Sequence, residues 1–145
     1  MIVRNIIQSK KITDIISVKP TDTVMSAAQV LSRHRIGAVV VSSDGKTVDG
    51  ILSERDIVKN IGSGGVDCMD KNVSELMTSQ VIQCSPDDTA LSAMETMSNG
   101  RFRHMPVTED GVMVGLISIG DVVNARISEM QEENSALTGM ISNSW

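Results

Sequence analysis

The 145-residue chain has a formal net charge of −5, with 18 acidic residues against 13 Lys and Arg, and 41% of its residues are hydrophobic. This hydrophobic content excludes intrinsic disorder, and the acidic balance disfavours nucleic-acid binding, which depends on a basic surface. The chain has one Phe, one Trp and no Tyr, so its core must be aliphatic. Without a signal peptide or a run near the ~20 apolar residues of a membrane helix, we expect a soluble cytoplasmic protein.

The two cysteines, Cys68 and Cys84, are 16 residues apart and belong to no Cys-x-x-Cys or Cys/His cluster. This spacing is not that of a zinc site, and it does not indicate a disulfide framework. We therefore expect two buried thiols in a reducing compartment, no metal and no required cofactor.

The first half of the chain carries one set of helix and strand signals. Asp22-Thr23 is typical of a helix start, and the apolar residues after it have helical spacing. The β-branched run 36–41 predicts a buried strand, 43–45 a turn, and 48–52 the returning strand of a hairpin. A second helix is predicted from Glu54.

The second half repeats this order of signals. When the chain is shifted by 66 residues, ten of the 26 positions in 20–45 are identical to those in 86–111. The opening segments correspond at a shift of 70, where 3–7 resembles 73–77. This period is too long for a solenoid repeat, so it indicates a tandem pair of modules.

The repeat predicts how the chain is divided. The second copy has a hairpin over 104–107 and 112–117 and a helix from Ile119, with Met130 and Leu137 as expected anchors of the polar end. We expect a first repeat at 1–61, a linker at 62–72, a second repeat at 73–128 and a C-terminal helical tail at 129–145. Because one repeat is too small to bury both faces of its sheet, we expect an α+β (α/β-like) fold with the two repeats packed sheet to sheet in pseudo-twofold symmetry.

The string Gly-h-h-Ser-x-x-Asp, in which h is apolar, occurs at 50–56 and again at 115–121. At a strand-to-helix junction, Ser and Asp three residues apart stabilise the helix start as a capping box. The same geometry suits a ligand, because a helix N-terminus attracts phosphate, a Ser hydroxyl donates to it, and a carboxylate accepts from two ribose hydroxyls. The matched pair of motifs favours the ligand hypothesis, and both roles are compatible.

The chain resembles a tandem pair of CBS domains, of the stand-alone bacterial type, over about residues 3–128. The resemblance rests on Pro20-x-Asp-Thr23, Arg35–Val41 and Gly50–Asp56, and on Pro86-x-Asp-Thr89, Gly100–Val107 and Gly115–Asp121. It implies two β-α-β-β-α repeats that form a flat homodimer. It also implies a non-catalytic regulatory or energy-sensing module, with AMP, ADP, ATP, S-adenosylmethionine or NAD(H) bound in clefts between the repeats and a regulated partner protein in trans.

The resemblance implies site residues for each copy. In the second copy, Asp121 is expected to bind the ribose and Ser118 the phosphate. The pocket strand that lines adenine is expected to contain Arg103, His104, Met105 and Pro106, and the opening strand that closes over the base is expected to contain Val81 and Ile82. In the first copy, Asp56 and Ser53 match in the same way, and Arg55 is expected to add phosphate charge. Its pocket strand is expected to contain Ile36, Gly37 and Ala38, and its opening strand Ile15 and Ile16.

A basic cluster lies beside the pocket strand of each copy. Phosphate contact is expected for Arg103 and His104, whereas Arg33 and Arg35 fit a solvated helix end equally well. Phe102 is the one aromatic residue in a pocket segment. We therefore expect adenine to be held by main-chain hydrogen bonds and aliphatic side chains rather than by stacking.

Three other functions remain open. A dimerisation or interaction scaffold without a ligand would use Ser53 and Ser118 only as helix caps. Nucleic-acid binding would depend on the basic segment 101–104 and would show a steep salt dependence. An enzyme would need a nucleophile–base pair, paired acids or a metal cluster, and none of these stands out in the sequence.

Overall fold

The computed structural model describes residues 1–10 and 15–143, with side chains up to residue 139. The first half contains α1 (Val3–Ser9), β1 (Ser17–Val18), α2 (Val24–His34), β2 (Ala38–Val41), β3 (Gly50–Ser53) and α3 (Glu54–Gly64). A 3₁₀ helix (Val66–Asp70) follows, and then α4 (Val73–Leu76), α5 (Ala90–Gly100), β4 (His104–Glu109), β5 (Val112–Ser118) and α6 (Ile119–Asn143). The mixture of helices with two small sheets confirms the α+β class.

The helix starts predicted in each copy are present. The Thr23 hydroxyl oxygen accepts from the Ser26 N–H at 3.1 Å, and the Thr89 hydroxyl oxygen accepts from the Ser92 N–H at 3.0 Å. Each bond satisfies a backbone donor that has no partner inside the helix, which fixes where α2 and α5 begin.

Both predicted hairpins form, and each places a motif serine opposite the start of the preceding strand. In the β2–β3 pair Ala38 lies opposite Ser53, and in the β4–β5 pair His104 lies opposite Ser118. β1 adds to the first hairpin as a parallel neighbour of β2.

Neither opening strand contains the residues predicted for it, since β1 begins at Ser17, after Ile15 and Ile16, and the opening strand of the second copy is shorter still. It is reduced to a single parallel bridge between Cys84 and Val107, so that Val81 and Ile82 lie outside any strand. In the first copy the strand pairs with Val40, whose place in the repeat is taken by Pro106. Because proline has no N–H to donate, the pairing does not extend past this position.

The core of each copy is completed by the opening helix of the other copy. Val3 and Ile6 of α1 are buried with residues 84–125, and Val73 and Leu76 of α4 are buried with residues 18–68. Backbone bonds hold this exchange, since Ser74 N–H donates to Pro20 O at 3.1 Å and Arg4 N–H donates to Pro86 O at 2.9 Å. Both cores are aliphatic, as the composition predicts, and both cysteines are buried free thiols.

The segments expected to be a linker and a tail are helical. α3 continues to Gly64, and Cys68 of the following 3₁₀ helix lies in the first core. α6 continues without a break to Asn143. The expectation that Met130 and Leu137 anchor this helix is wrong, because they are 54% and 56% exposed. Among the described residues, no helix is long and apolar enough to cross a membrane.

Candidate functional site

Each Ser-x-x-Asp motif forms a reciprocal cap where a strand passes into a helix. The Asp56 N–H donates to Ser53 Oγ at 3.2 Å, and the Ser53 N–H donates to Asp56 Oδ2 at 2.9 Å. In the second copy, the corresponding bonds between Asp121 and Ser118 measure 3.1 and 2.9 Å. The capping role is therefore confirmed at both motifs. Within the described part of the chain, Oδ1 of each carboxylate accepts no hydrogen bond, so it remains available to a ligand.

The glycine of each motif lies where the opening helix of the other copy approaches the sheet. A Cβ on Gly50 would lie 2.6 Å from Met77 Sδ and 2.8 Å from the carbonyl oxygen of Thr78. A Cβ on Gly115 would lie 2.9 Å from Cδ1 of Ile7. The motif thus needs glycine because a neighbouring segment comes this close.

Beside Asp56 lies a cavity of about 460 Å³, which we call the Asp56 cleft. Its residues are Gly37, Ala38, Ile51, Ser53, Glu54, Arg55, Asp56, Thr78, Gln80, Val81, Ile82, Gly100, Arg101, Phe102, Arg103 and His104. The first copy's motif therefore lies beside the second copy's opening segment and basic cluster.

Beside Asp121 lies a similar cavity of about 430 Å³, the Asp121 cleft. Its residues are Ile7, Lys10, Ile15, Ile16, Arg35, Ile36, Gly37, Ala38, His104, Gly115, Leu116, Ser118 and Asp121. The grouping of site residues by copy was therefore wrong, because each cleft combines the motif of one copy with the pocket strand and opening segment of the other. The sequence equates the positions of the two copies but does not reveal which positions face each other.

Two of the expected site residues line neither cleft. The side chain of Met105 is 1% exposed and belongs to the second core. Pro106 is buried, and its carbonyl oxygen accepts from the Cys84 N–H at 3.0 Å. Met105 faces the second core, and Pro106 is buried on the other face of β4, where it pairs with Leu116 of β5. This strand therefore contributes only its start, His104, to the clefts.

His104 forms part of the wall that separates the clefts, together with Gly37 and Ala38. Burial, and then the charge of Lys10, lower the pKa of His104, although Asp121 and Glu54 act in the opposite direction. At neutral pH its ring is therefore uncharged. It offers one donor and one acceptor to a ligand in either cleft, but no positive charge for a phosphate.

Arg35 and Arg101 occupy equivalent places, one in each cleft. They end α2 and α5 with left-handed backbone angles, φ being 53° and 57°. This conformation costs an L-residue other than Gly or Asn about 1–2 kcal/mol, and such strain is concentrated at functional sites. The structure thus places both arginines at cleft walls. From the sequence, a solvated helix end and a phosphate contact were equally consistent with Arg35.

Lys10 is a site residue that the sequence analysis missed. It follows α1, and its Nζ donates to Asp121 Oδ2 at 2.9 Å and to the carbonyl oxygen of Leu116 at 2.8 Å. Burial acts to raise the pKa of Asp121, but the hydrogen bonds from Ser118 and Lys10 together lower it. Lys10 could have been found from the 70-residue shift that aligns the opening segments, because this shift equates Lys10 with Gln80, which lines the other cleft.

A family model described as the CBS domain matches residues 3–63 and 73–128. The chain belongs to the CBS domain family. The matched segments include α1 and α4, so each family unit along the sequence contains a helix that packs on the other unit in space. Among the described residues of this CBS pair, no three His, Cys, Asp or Glu side chains are grouped to hold a metal ion.

Relatives of known structure share this fold. A CBS-domain containing protein from Agrobacterium tumefaciens is 43% identical, with a TM-score of 0.81 over 87% of this chain and 99% of that one. A CBS domain protein from Pyrobaculum aerophilum, complexed with AMP, is 25% identical, with a TM-score of 0.73 over 83% of this chain and 89% of that one.

The chain is also similar in sequence to longer proteins. The mitochondrial CBS domain-containing protein CBSX3 of Arabidopsis thaliana is 37% identical over 83% of this chain, which spans only 60% of that relative's length.

Proposed function

We propose that this CBS pair binds an adenosine-containing nucleotide in its two clefts and acts as a non-catalytic regulatory sensor of a partner protein. The observation that carries this proposal is the same arrangement seen twice: a Ser–Asp cap at a helix start, an apolar wall and an arginine around a cavity of 430–460 Å³. Ligand cavities of small molecules fall in this size range. The AMP complex of the Pyrobaculum aerophilum relative supports an adenylate.

The side chains divide the work within each cleft. Oδ1 of Asp56 or Asp121 is placed to accept from a ribose hydroxyl, and the helix N-terminus beside it favours a phosphate. Arg101, Arg103 and Arg55 supply positive charge in the Asp56 cleft, and Arg35 does so in the Asp121 cleft. Phe102 lines the Asp56 cleft, whereas Ile36 takes the equivalent place in the Asp121 cleft, so among the described residues a phenyl ring lines the Asp56 cleft alone.

Isothermal titration with AMP, ADP, ATP and NADH tests this proposal and ranks the ligands. Competition between AMP and ATP for the same clefts would make the protein an energy sensor. Asp56→Asn and Asp121→Asn should each remove one site, while the side-chain oxygen of Asn still accepts from the N–H of the capping serine. The absence of binding by every one of these ligands at millimolar concentration would overturn the proposal.

A scaffold that binds no ligand is the second candidate. The observed Ser–Asp caps favour this scaffold as much as they favour the nucleotide sensor. Ser53→Ala and Ser118→Ala should each lower the free energy of unfolding by about 1 kcal/mol under either function. Only the sensor predicts that these substitutions also weaken nucleotide binding. Titration of the two variants with AMP therefore separates the two functions.

We also propose that two copies of the chain associate through α6. Val123, Ile127, Met130 and Leu137 are exposed apolar residues with heptad spacing, and Asn134 completes the series. An Asn at one core position of a heptad is typical of two-stranded coiled coils. Light scattering should show a dimer that Ile127→Glu dissociates, whereas Val58→Glu, at an exposed position of α3, should not. A monomeric wild-type protein would contradict this assembly.

The buried free thiols Cys68 and Cys84 are consistent with a reducing compartment, and we propose the cytoplasm. Burial, with a smaller contribution from Asp88, raises the pKa of the Cys84 thiol to about 12. At neutral pH this thiol is protonated and therefore a poor nucleophile. We assign Cys84 a packing role.

A further inference from the structure

The two clefts differ at the carboxylate of the Ser-x-x-Asp motif. In the Asp121 cleft, Oδ2 accepts from the Ser118 N–H and from Lys10 Nζ, both at 2.9 Å. In the Asp56 cleft, the corresponding oxygen accepts from the Ser53 N–H at 2.9 Å and from the Ser53 hydroxyl at 3.0 Å. One carboxylate is thus neutralised by a cation, and the other is bonded to a hydroxyl that can rotate.

Lys10 is held in this position by the fold. It comes directly after α1, and its backbone N–H donates to the Ile7 carbonyl oxygen at 3.2 Å. Val3 and Ile6 bury the helix in the second core, and a second bond from Nζ to Leu116 O orients the ammonium. The ion pair is partly buried, with side-chain exposures of 31% for Lys10 and 25% for Asp121, so solvent screens it less than a surface pair.

The equivalent position in the other cleft holds a neutral side chain. Gln80 lines the Asp56 cleft, and Lys10 lines the Asp121 cleft. The two neighbouring hydroxyls of a ribose donate to both oxygens of a carboxylate. The hydroxyl that donates to Oδ2 must therefore replace a hydrogen bond that Oδ2 already accepts. In the Asp56 cleft the Ser53 hydroxyl can turn away, whereas in the Asp121 cleft an ion pair has to be broken.

We propose that Lys10 is an internal counter-ion that competes with the sugar of the ligand for Asp121, which makes the Asp121 cleft the weaker of the two sites. This inference rests on the proposed nucleotide function and adds a regulatory element to it. The chain fills the Asp56 cleft first, and it fills the Asp121 cleft only when the ligand is abundant enough to displace Lys10.

The test uses adenosine, whose lack of phosphate removes any direct attraction to Lys10. In an Asp56→Asn background, which isolates the Asp121 cleft, Lys10→Gln should tighten adenosine binding roughly two- to fivefold, the range expected when a partly exposed ion pair no longer has to be broken. Lys10→Arg keeps the cation and should leave the affinity weak. In an Asp121→Asn background, the matched change Gln80→Lys should weaken binding to the Asp56 cleft by a similar factor.

The outcomes separate this inference from the proposed function. If the wild-type chain binds AMP and adenosine but Lys10→Gln leaves the Asp121 cleft unchanged or weaker, Lys10 does not compete and the inference alone is overturned. If neither cleft of the wild-type chain binds AMP, the proposed function is overturned and this inference with it. Circular dichroism of Lys10→Gln and Gln80→Lys controls for folding, which should be undisturbed because Lys10 is partly exposed and Gln80 is exposed.

Discussion

The backbone N–H of Val3 donates to the carbonyl oxygen of Asp88 at 2.8 Å, and so joins the start of the chain to the second repeat. The N–H of Val73 makes the same bond, also at 2.8 Å, to the carbonyl oxygen of Asp22 in the first repeat. This exchange determines which residues share a core, and through Lys10 it determines what lies in the Asp121 cleft.

The first prediction concerns the exchanged helices. Val3→Ala removes two buried methyl groups and should lower the free energy of unfolding by about 2 kcal/mol. Hydrogen exchange should increase in residues 84–125, which share a core with Val3, and not in residues 18–68. The matched variant Val73→Ala should show the reverse pattern. Faster exchange only in the repeat that contains the substituted residue would contradict the packing of each opening helix on the other repeat.

The second prediction concerns the motif glycines. Gly50→Ala places a Cβ against the backbone carbonyl of Thr78, which cannot move without breaking its pairing with Ile51, so a loss of about 1–3 kcal/mol is expected. Gly115→Ala meets only side-chain atoms of Ile7, with Cδ1 at 2.9 Å and Cγ1 at 3.0 Å, and this side chain can change rotamer. Urea unfolding should therefore show that Gly50→Ala is less stable than Gly115→Ala. Equal stabilities would show that the Thr78 carbonyl does not approach Gly50 closely.

The third prediction concerns the strained arginines. Arg35→Gly and Arg101→Gly should each raise the free energy of unfolding by about 0.5–1 kcal/mol, since Gly adopts the left-handed conformation without the Cβ clash. If these arginines bind phosphate, the same variants bind AMP more weakly while adenosine binding is unaffected. Arg35→Lys is the control, because it retains a cation together with the backbone strain. A stability loss in both Gly variants would mean that these side chains contribute packing that outweighs the strain.

The fourth prediction concerns pH. The pKa of His104 is lowered in the folded protein by burial and by Lys10, with Arg103 acting in the same direction and Asp121 and Glu54 in the opposite one. Between this pKa and the unfolded value of about 6.5, the unfolded chain binds more protons, so stability falls as the pH decreases through that window. His104→Gln should reduce this slope in thermal melts taken between about pH 7 and pH 5, relative to the exposed-site control His34→Gln.

Much of the local structure follows from the sequence because its signals are local. The threonine caps, the Asp-Gly turns and the starts of α3 and α6 at Glu54 and Ile119 depend on residues within a few positions of each other. These are the features that the repeat predicts twice. The extent of the second opening strand was missed because its length depends on Pro106, which lies far along the chain but occupies the adjacent pairing position.

The pairing of segments in space could not be read from the sequence. α1 and α4 resemble each other, and packing on the same repeat or on the opposite repeat would bury the same kinds of apolar side chain. The repeat therefore identifies Ser53 and Asp56 as equivalents of Ser118 and Asp121, but not which basic cluster faces them. Lys10 was missed for the same reason, since its partner Asp121 is set by the exchange and not by sequence distance.

The position of α1 also has a consequence for the synthesis of the chain. Its apolar residues leave the ribosome before residues 84–125, yet the core that buries them is complete only when residues up to Ala125 have emerged. Until then α1 has no native site, and the contacts it finally makes are among the most distant along the chain, which favours slow closure late in folding. A cut in the segment 62–72 would divide the protein into two complementary fragments, each of which carries a helix that the other needs.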